Sequence, residues 1–195
     1  MDLTGEDYSD ADLVDTEMLR CTFTECRFSR AVLSEMRAVG CMFQKCDFSN
    51  ARMNAAELIN CRFINCSFAA TNLFVARFEE CQMLGSMFAK ADMGGFCIVG
   101  GDWSLANLRL QDLSGLNLMG IKMSETDLYG ANLKKTDFRD ADLTGANLTQ
   151  AKMNGADIRG AKIARVDLRN VDIKNVRMDI SQAIHLAQCY GARVE

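Results

Sequence analysis

The residues best equipped for chemistry are cysteines: nine thiols against a single histidine, in a chain of 195 residues with no proline. They fall in pairs five apart that return every twenty residues. Cys21 and Cys26 lie in "CTFTECRFSR", Cys41 and Cys46 in "CMFQKCDFSN", Cys61 and Cys66 in "CRFINCSFAA", and Cys81 extends one series. Thiols so spaced could bind a metal, close disulfides or pack as small apolar groups. A structural zinc needs four ligands converging tetrahedrally, and a disulfide needs an oxidising compartment as well as close backbones. The N-terminus, "MDLTGEDYSDADLVD", is acidic and has neither the basic start nor the apolar stretch of a secretion signal. No apolar run approaches the roughly 18 residues of a membrane span. A cytoplasmic location with reduced thiols is expected, and no membrane association. A net charge of −4 argues against direct nucleic-acid binding through phosphate neutralisation.

The elements that must place these thiols follow from a second periodicity. A residue stands at every fifth position from Leu3 to Met178, through Phe23, Phe43, Phe63, Trp103, Leu128 and Leu148, and among these 36 positions only Ala38 is not large and apolar. Five matches neither the helical nor the strand period, so the chain must turn a corner at each repeat. Two residues earlier the side chain is small in most repeats, as at Ala11, Ala31, Ala51, Ala131 and Ala151. Residues two apart on an extended segment point to the same side. Each segment therefore turns one small and one large residue inward, and four segments close a square coil of twenty residues. This predicts a β-solenoid of about nine coils with stacked ladders in its centre, such as Phe28, Phe48, Phe68 and Phe88. Seven of the nine cysteines occupy the small inward position, where a free thiol packs as a small hydrophobe. Adjacent sides of a square core aim them at different walls, which disfavours a metal cluster.

The segment "ADLTGANLTQAKMNGADIRGAKI" (141–163) resembles the A(D/N)LXX signature of the pentapeptide repeat proteins, and the resemblance covers about residues 1–178. It implies an all-β, right-handed quadrilateral β-helix. "CQMLGSMF" (81–88), "LSGLNLMG" (113–120) and "VRMDISQAIHLAQCYGA" (176–192) are similar to the fluoroquinolone-resistance branch of that family. That branch joins a mycobacterial member, the Qnr proteins and the proteins protecting producers of albicidin and similar gyrase poisons. The narrower resemblance implies a rod-like homodimer joined at C-terminal ends, shaped and charged like duplex DNA, that acts on DNA gyrase. Qnr members carry loops projecting from the helix, and the unbroken register here leaves no room for them.

Two units are expected: the β-helix over 1–178 and a C-terminal helix and tail over 179–195. Asp179 or Ser181 can cap a helix running to about Tyr190, with Ile180, Ala183, Ile184 and Ala187 along one face as a cap or dimer contact. The first 17 residues hold seven acids and no base, which discourages stacking on the open edge. Nine coils at about 4.8 Å make a rod of roughly 43 Å. Duplex DNA of that length carries about 25 negative charges, so any mimicry with a net charge of −4 is local. Asp92, Asp102, Asp112, Asp127, Asp142 and Asp167 all precede the inward large residue and are candidate gyrase-facing acids; the competing reading is corner hydrogen bonding intrinsic to the repeat. On one wall Leu19, Val39, Ile59, Val99 and Met119 form an outward apolar stripe, a candidate partner surface or a ladder between coils. "GGFCIVGGDW" (94–103) breaks the small-residue rule at Phe96 and predicts a kink or bulge. Catalysis finds no constellation: His185 reads as an ordinary surface histidine, and no cofactor or metal is implied.

Overall fold

The computed structural model describes residues 1–195 as a parallel β-solenoid closed at its C-terminal end by one helix. Each coil has four five-residue sides, and residue i pairs with residue i+20. Wall one carries β1 (Asp2–Thr4), β3 (Thr22–Thr24), β5 (Met42–Gln44) and β7 (Arg62–Ile64). Wall four carries β2 (Glu17–Leu19), β4 (Arg37–Val39), β6 (Glu57–Ile59), β8 (Arg77–Glu79) and β9 (Cys97–Val99). Walls two and three, and every wall beyond residue 100, pair through single bridges. On wall one these bridges run on from Arg62 through Gln82, Asp102, Lys122 and Asp142 to Lys162, which gives nine rungs in all.

The corners explain the period of five. From Gly5 to Arg165 every fifth residue has a positive φ, and this includes Asp, Arg, Lys and Asn as well as glycine. One left-handed residue reverses the pleat so that the next segment again points its large residue inward. Asn170 is the first corner to lose this conformation, and there the ladder shifts: Gln150 N–H bonds Asn170 O instead of the carbonyl one residue earlier.

The centre is a filled core of 51 buried apolar residues. Phe23 stacks on Phe43 with centroids 4.9 Å apart, Phe43 on Phe63 at 4.8 Å, and Phe28, Phe48, Phe68 and Phe88 form a parallel ladder at 4.9 to 5.1 Å. Rings of adjacent walls meet edge to face, as Phe23 and Phe28 do at 5.5 Å. Such pairs contribute about 0.5–1.5 kcal/mol each beyond burial. The spacing follows the strand separation, so each ring is held by the rungs it spans.

One interruption fulfils the irregularity expected at 94–103, although its form is a parting of coils and the register stays unbroken. Coil five (81–100) and coil six (101–120) stay bonded on walls one and two, through Met83 N–H to Asp102 O at 2.8 Å and Asn107 N–H to Ser86 O at 2.9 Å. On walls three and four the pairs 92/112 and 97/117 are missing, whereas 72/92, 112/132 and 117/137 are made. The cause is volume. Phe96, Gln111 and Leu116 occupy inward positions that hold Ala51, Ala56, Ala131 and Thr136 in other coils. On the hinge side Gly101 lies so close that a Cβ would sit 2.2 Å from Cys81 O. The coils thus pinch at Gly101 and open across the core, leaving a cleft of about 910 Å³.

Candidate interaction surfaces

All nine cysteines are free thiols. The seven in the repeat's small position lie inward as the periodicity implies, with one addition. Cys66 Sγ donates to Phe43 O at 3.2 Å, Cys61 to Ala38 O at 3.4 Å and Cys81 to Leu58 O at 3.2 Å, always 23 residues back. Hydroxyls in the same position do likewise: Thr71 to Phe48 O at 2.7 Å, Thr126 to Trp103 O at 2.9 Å and Thr136 to Leu113 O at 2.8 Å. The longer Gln111 side chain reaches Phe88 O at 2.6 Å. The inward slot thus tolerates a donor because a carbonyl of the coil below has a lone pair to spare. The Cys46 thiol beside it and burial push the Cys66 pKa up, and Cys61 and burial do the same for Cys41, so both stay protonated. No three His, Cys, Asp or Glu side chains converge as a metal-binding group.

The six aspartates do not share a face. Asp102 and Asp142 lie on wall one, Asp127 and Asp167 on wall two, and Asp92 and Asp112 on wall three. Each makes the corner bond: the N–H two residues on donates to Asp92 Oδ1 at 3.1 Å, to Asp112 Oδ1 at 2.9 Å and to Asp142 Oδ1 at 3.0 Å. Three are neutralised further, Asp127 by Arg109 at 3.1 Å, Asp142 by Lys162 at 3.8 Å and Asp167 by Arg169 at 2.6 Å. Hydrogen bonding from Arg169 lowers the Asp167 pKa to about 2. Asp92, Asp102 and Asp112 have no cation partner and carry the free negative charge of the middle coils.

The apolar stripe is real and lies on wall four, where Leu19, Val39 and Ile59 occupy the last residues of β2, β4 and β6 in direct register. Val39 and Ile59 are half-buried by their neighbours, while Leu19 is 53% and Met119 52% exposed. Glu79, in register between Ile59 and Val99 and paired with Arg77 at 2.9 Å, divides the stripe into a Leu19–Val39–Ile59 ladder and a separate Val99 and Met119 pair at the parted rungs.

At the C-terminus, α1 (Ile180–Cys189) starts from Asp179, whose carboxylate accepts Gln182 N–H while Gln182 Oε1 accepts Asp179 N–H at 3.0 Å, a capping box. The docking face differs from the one expected. Gln182 Nε2 donates to Ala161 O at 2.9 Å and to Ile158 O, and His185 Nε2 donates to Val166 O at 2.7 Å. Leu186 and Cys189 pack on the last coil. Ile180 is 80% exposed and Ala183 is exposed, while Ile184 and Ala187 are half-buried, so the expected face is open to solvent at its start and partly covered beyond it. His185 is correspondingly part of the lid, against the surface role expected for it. The open end of a parallel coil presents both N–H and C=O groups, and the lid answers both: Gln182 and His185 donate to carbonyls, and Asp179 Oδ2 accepts the Gly160 N–H at 2.8 Å.

The fold and surfaces define a class: a five-residue-repeat β-solenoid with a filled core, whose side chains are arranged for packing and contact. Comparison with known proteins makes the class specific. The family of pentapeptide repeats matches in 8 copies over residues 32–68, 104–140 and 141–179, more than half of the chain, and the chain belongs to that family. A trypsin-treated variant of QnrB1, a plasmid-mediated fluoroquinolone resistance protein, superposes with a TM-score of 0.85 at 24% identity, covering 100% of this chain and 98% of the other. Full-length QnrB1 gives 0.85 at 23% identity over 98% and 97%. At this identity the likeness establishes a shared fold. No curated protein sequence matches with significance. No helix is long and apolar enough to cross a membrane.

Proposed function

We propose that this chain is a non-enzymatic, Qnr-like protein that binds DNA gyrase, protects it from fluoroquinolone or albicidin-type poisons and modulates supercoiling, acting as a cytoplasmic homodimer joined at its C-terminal ends. The observation that supports this most is the end-to-end superposition on QnrB1, which matches the rod in length as well as in local fold. A filled solenoid works through its surface. Asp92, Asp102 and Asp112, free of ion pairs, are the acids best placed to meet a DNA-binding groove, and the partly exposed Ile180, Ala183, Ile184 and Ala187 face offers an apolar patch for a second copy. Distribution of the aspartates over three walls makes the contact local and not a full imitation of a DNA backbone.

The test is a gyrase supercoiling and cleavage assay with a fluoroquinolone and, separately, an albicidin-type poison, with stepwise addition of protein. Restored supercoiling with fewer cleavage complexes is expected, weakened by Asp102→Asn with Asp112→Asn; no effect on gyrase, with or without poison, would sink the reading. The exposed ends of the wall-four stripe favour a second reading, a scaffold that binds another protein through Leu19 and Met119. Loss of partner binding in Met119→Lys with gyrase protection intact would select it.

A further inference from the structure

The cleft between coils five and six is bordered by main-chain groups that every other coil uses. One coil below, Leu73 N–H bonds Asp92 O at 2.8 Å, Val75 N–H bonds Gly94 O at 2.8 Å and Cys97 N–H bonds Ala76 O at 2.9 Å. At the corresponding positions on the lips of the cleft, Met93, Gly95 and Ile98 donate to no main-chain carbonyl, and neither do Asp112 and Asn117 on the opposite lip. The facing carbonyls of Ala91, Phe96, Asp112 and Asn117 are free of backbone donors as well. Two strand edges are therefore presented to one another, parallel and unpaired, across two adjacent walls. An unpaired edge is a template for another extended chain, and that alone supplies donors and acceptors at the repeat of a strand. A helix has none to spare.

The side chains around the cleft narrow the occupant. Met93 and Phe96 form its floor, and Leu110, 72% exposed, stands on its rim. Phe74 and Val75 extend the apolar rim from the coil below, their side chains lying against Gly94 and Gly95. Asp92 and Asp112, one on each lip, make no ion pair; Lys90 and Arg109 also line the cleft, Arg109 already paired with Asp127 at 3.1 Å. Val75 is a β-branched residue held at φ 52°, an unfavourable conformation retained beside the cleft. The volume, about 910 Å³, lies in the range of ligand pockets.

We propose that this cleft receives an extended peptide segment of a partner protein as an inserted strand, apolar on its inward side chains and basic where it passes Asp92 and Asp112. The inference does not rest on the gyrase reading, although both use Asp92 and Asp112; protection of the cleft amides by a peptide, read without gyrase, tells the two apart. It is tested by panning a displayed library of random nonapeptides on the immobilised full chain, then measuring a selected synthetic peptide by fluorescence anisotropy and amide exchange. Enriched peptides should alternate apolar residues and carry Lys or Arg. The bound peptide should slow exchange at Met93, Gly95, Ile98, Asp112 and Asn117 at least tenfold. Phe96→Ala with Gln111→Ala and Leu116→Ala, which restores small inward residues and lets the rungs close, should weaken binding at least tenfold. Asp92→Asn with Asp112→Asn leaves the cleft open and should weaken a basic peptide several-fold, which serves if the triple variant fails to fold. Failure to enrich any peptide, or binding that leaves those five amides unprotected, overturns the proposal. Protection that rises with protein concentration alone overturns it in favour of a second copy of this chain.

Discussion

The donor rule of the inward slot can be tested at Thr136. Its side chain is fully buried and its hydroxyl donates to Leu113 O at 2.8 Å. Leu113 O also accepts Leu116 N–H at 3.3 Å, so removing the hydroxyl costs the carbonyl one of two partners and does not orphan it. Thr136→Val keeps the shape and removes only the donor. The expected loss is therefore that of one neutral hydrogen bond, about 1 kcal/mol, or a fall of about 2–4 °C in Tm for a chain of this size. The reverse case is Cys66, whose thiol makes the same bond to Phe43 O at 3.2 Å. Cys66→Thr should exceed Cys66→Val in stability by a similar amount, since the pair share a volume and differ in the donor. Urea denaturation followed by circular dichroism gives both differences. Valine as stable as threonine at both positions would refute the rule and return the slot to packing alone.

Gln182→Ala removes a capping-box partner and the bonds to Ile158 O and Ala161 O in the last two coils; about 2 kcal/mol should be lost, read as faster amide exchange across Ile180–Cys189 with the first coils unchanged. For Asp167 the folded pKa of about 2 lies below the ordinary 3.8. Its ion pair therefore favours the fold above the unfolded value and is lost as pH falls toward 2; carbon-detected NMR should show the low midpoint, returning upward in Arg169→Gln, and an ordinary midpoint in the native chain would refute the pairing. With a thiol reagent on the native protein, only the half-buried Cys21, Cys97 and Cys189 should react quickly and the six buried thiols only on unfolding, so more than three fast thiols would contradict the packed core.

Much of the fold is legible because one residue in five has no freedom. The large apolar position fixes where the chain turns, and the twenty-residue recurrence of the cysteine pairs fixes how many sides make a coil. The thiols' packing role follows from the same alignment with alanine. Their hydrogen bonds do not, because which carbonyl lies across the coil is a matter of three-dimensional stacking. The aspartates mislead for a related reason: the position before the large residue occurs on every wall, so residues alike in the repeat part company in space. Position within the coil, not within the repeat, separates them. Amphipathic spacing finds the apolar face of the helix but not the polar groups that dock it: Gln182 and His185 donate to carbonyls of the coils, and Asp179 accepts the Gly160 N–H. At 94–103 the sequence marks an irregularity through Phe96, but its size depends on Gln111 and Leu116, which arrive on two adjacent walls one coil later.

The parted walls also bear on how the molecule unfolds. In a chain of stacked units each coil is stabilised by its two neighbours, and cooperativity passes along the stack only as strongly as its weakest junction. Seven junctions here are sealed through most of their circumference, while the one after residue 100 keeps its pairing on two walls of four. The rod is thus two cooperative blocks in series, an aromatic N-terminal block and a leucine-rich C-terminal one sealed by its helix. Melting of either can stop at the boundary without taking the other with it.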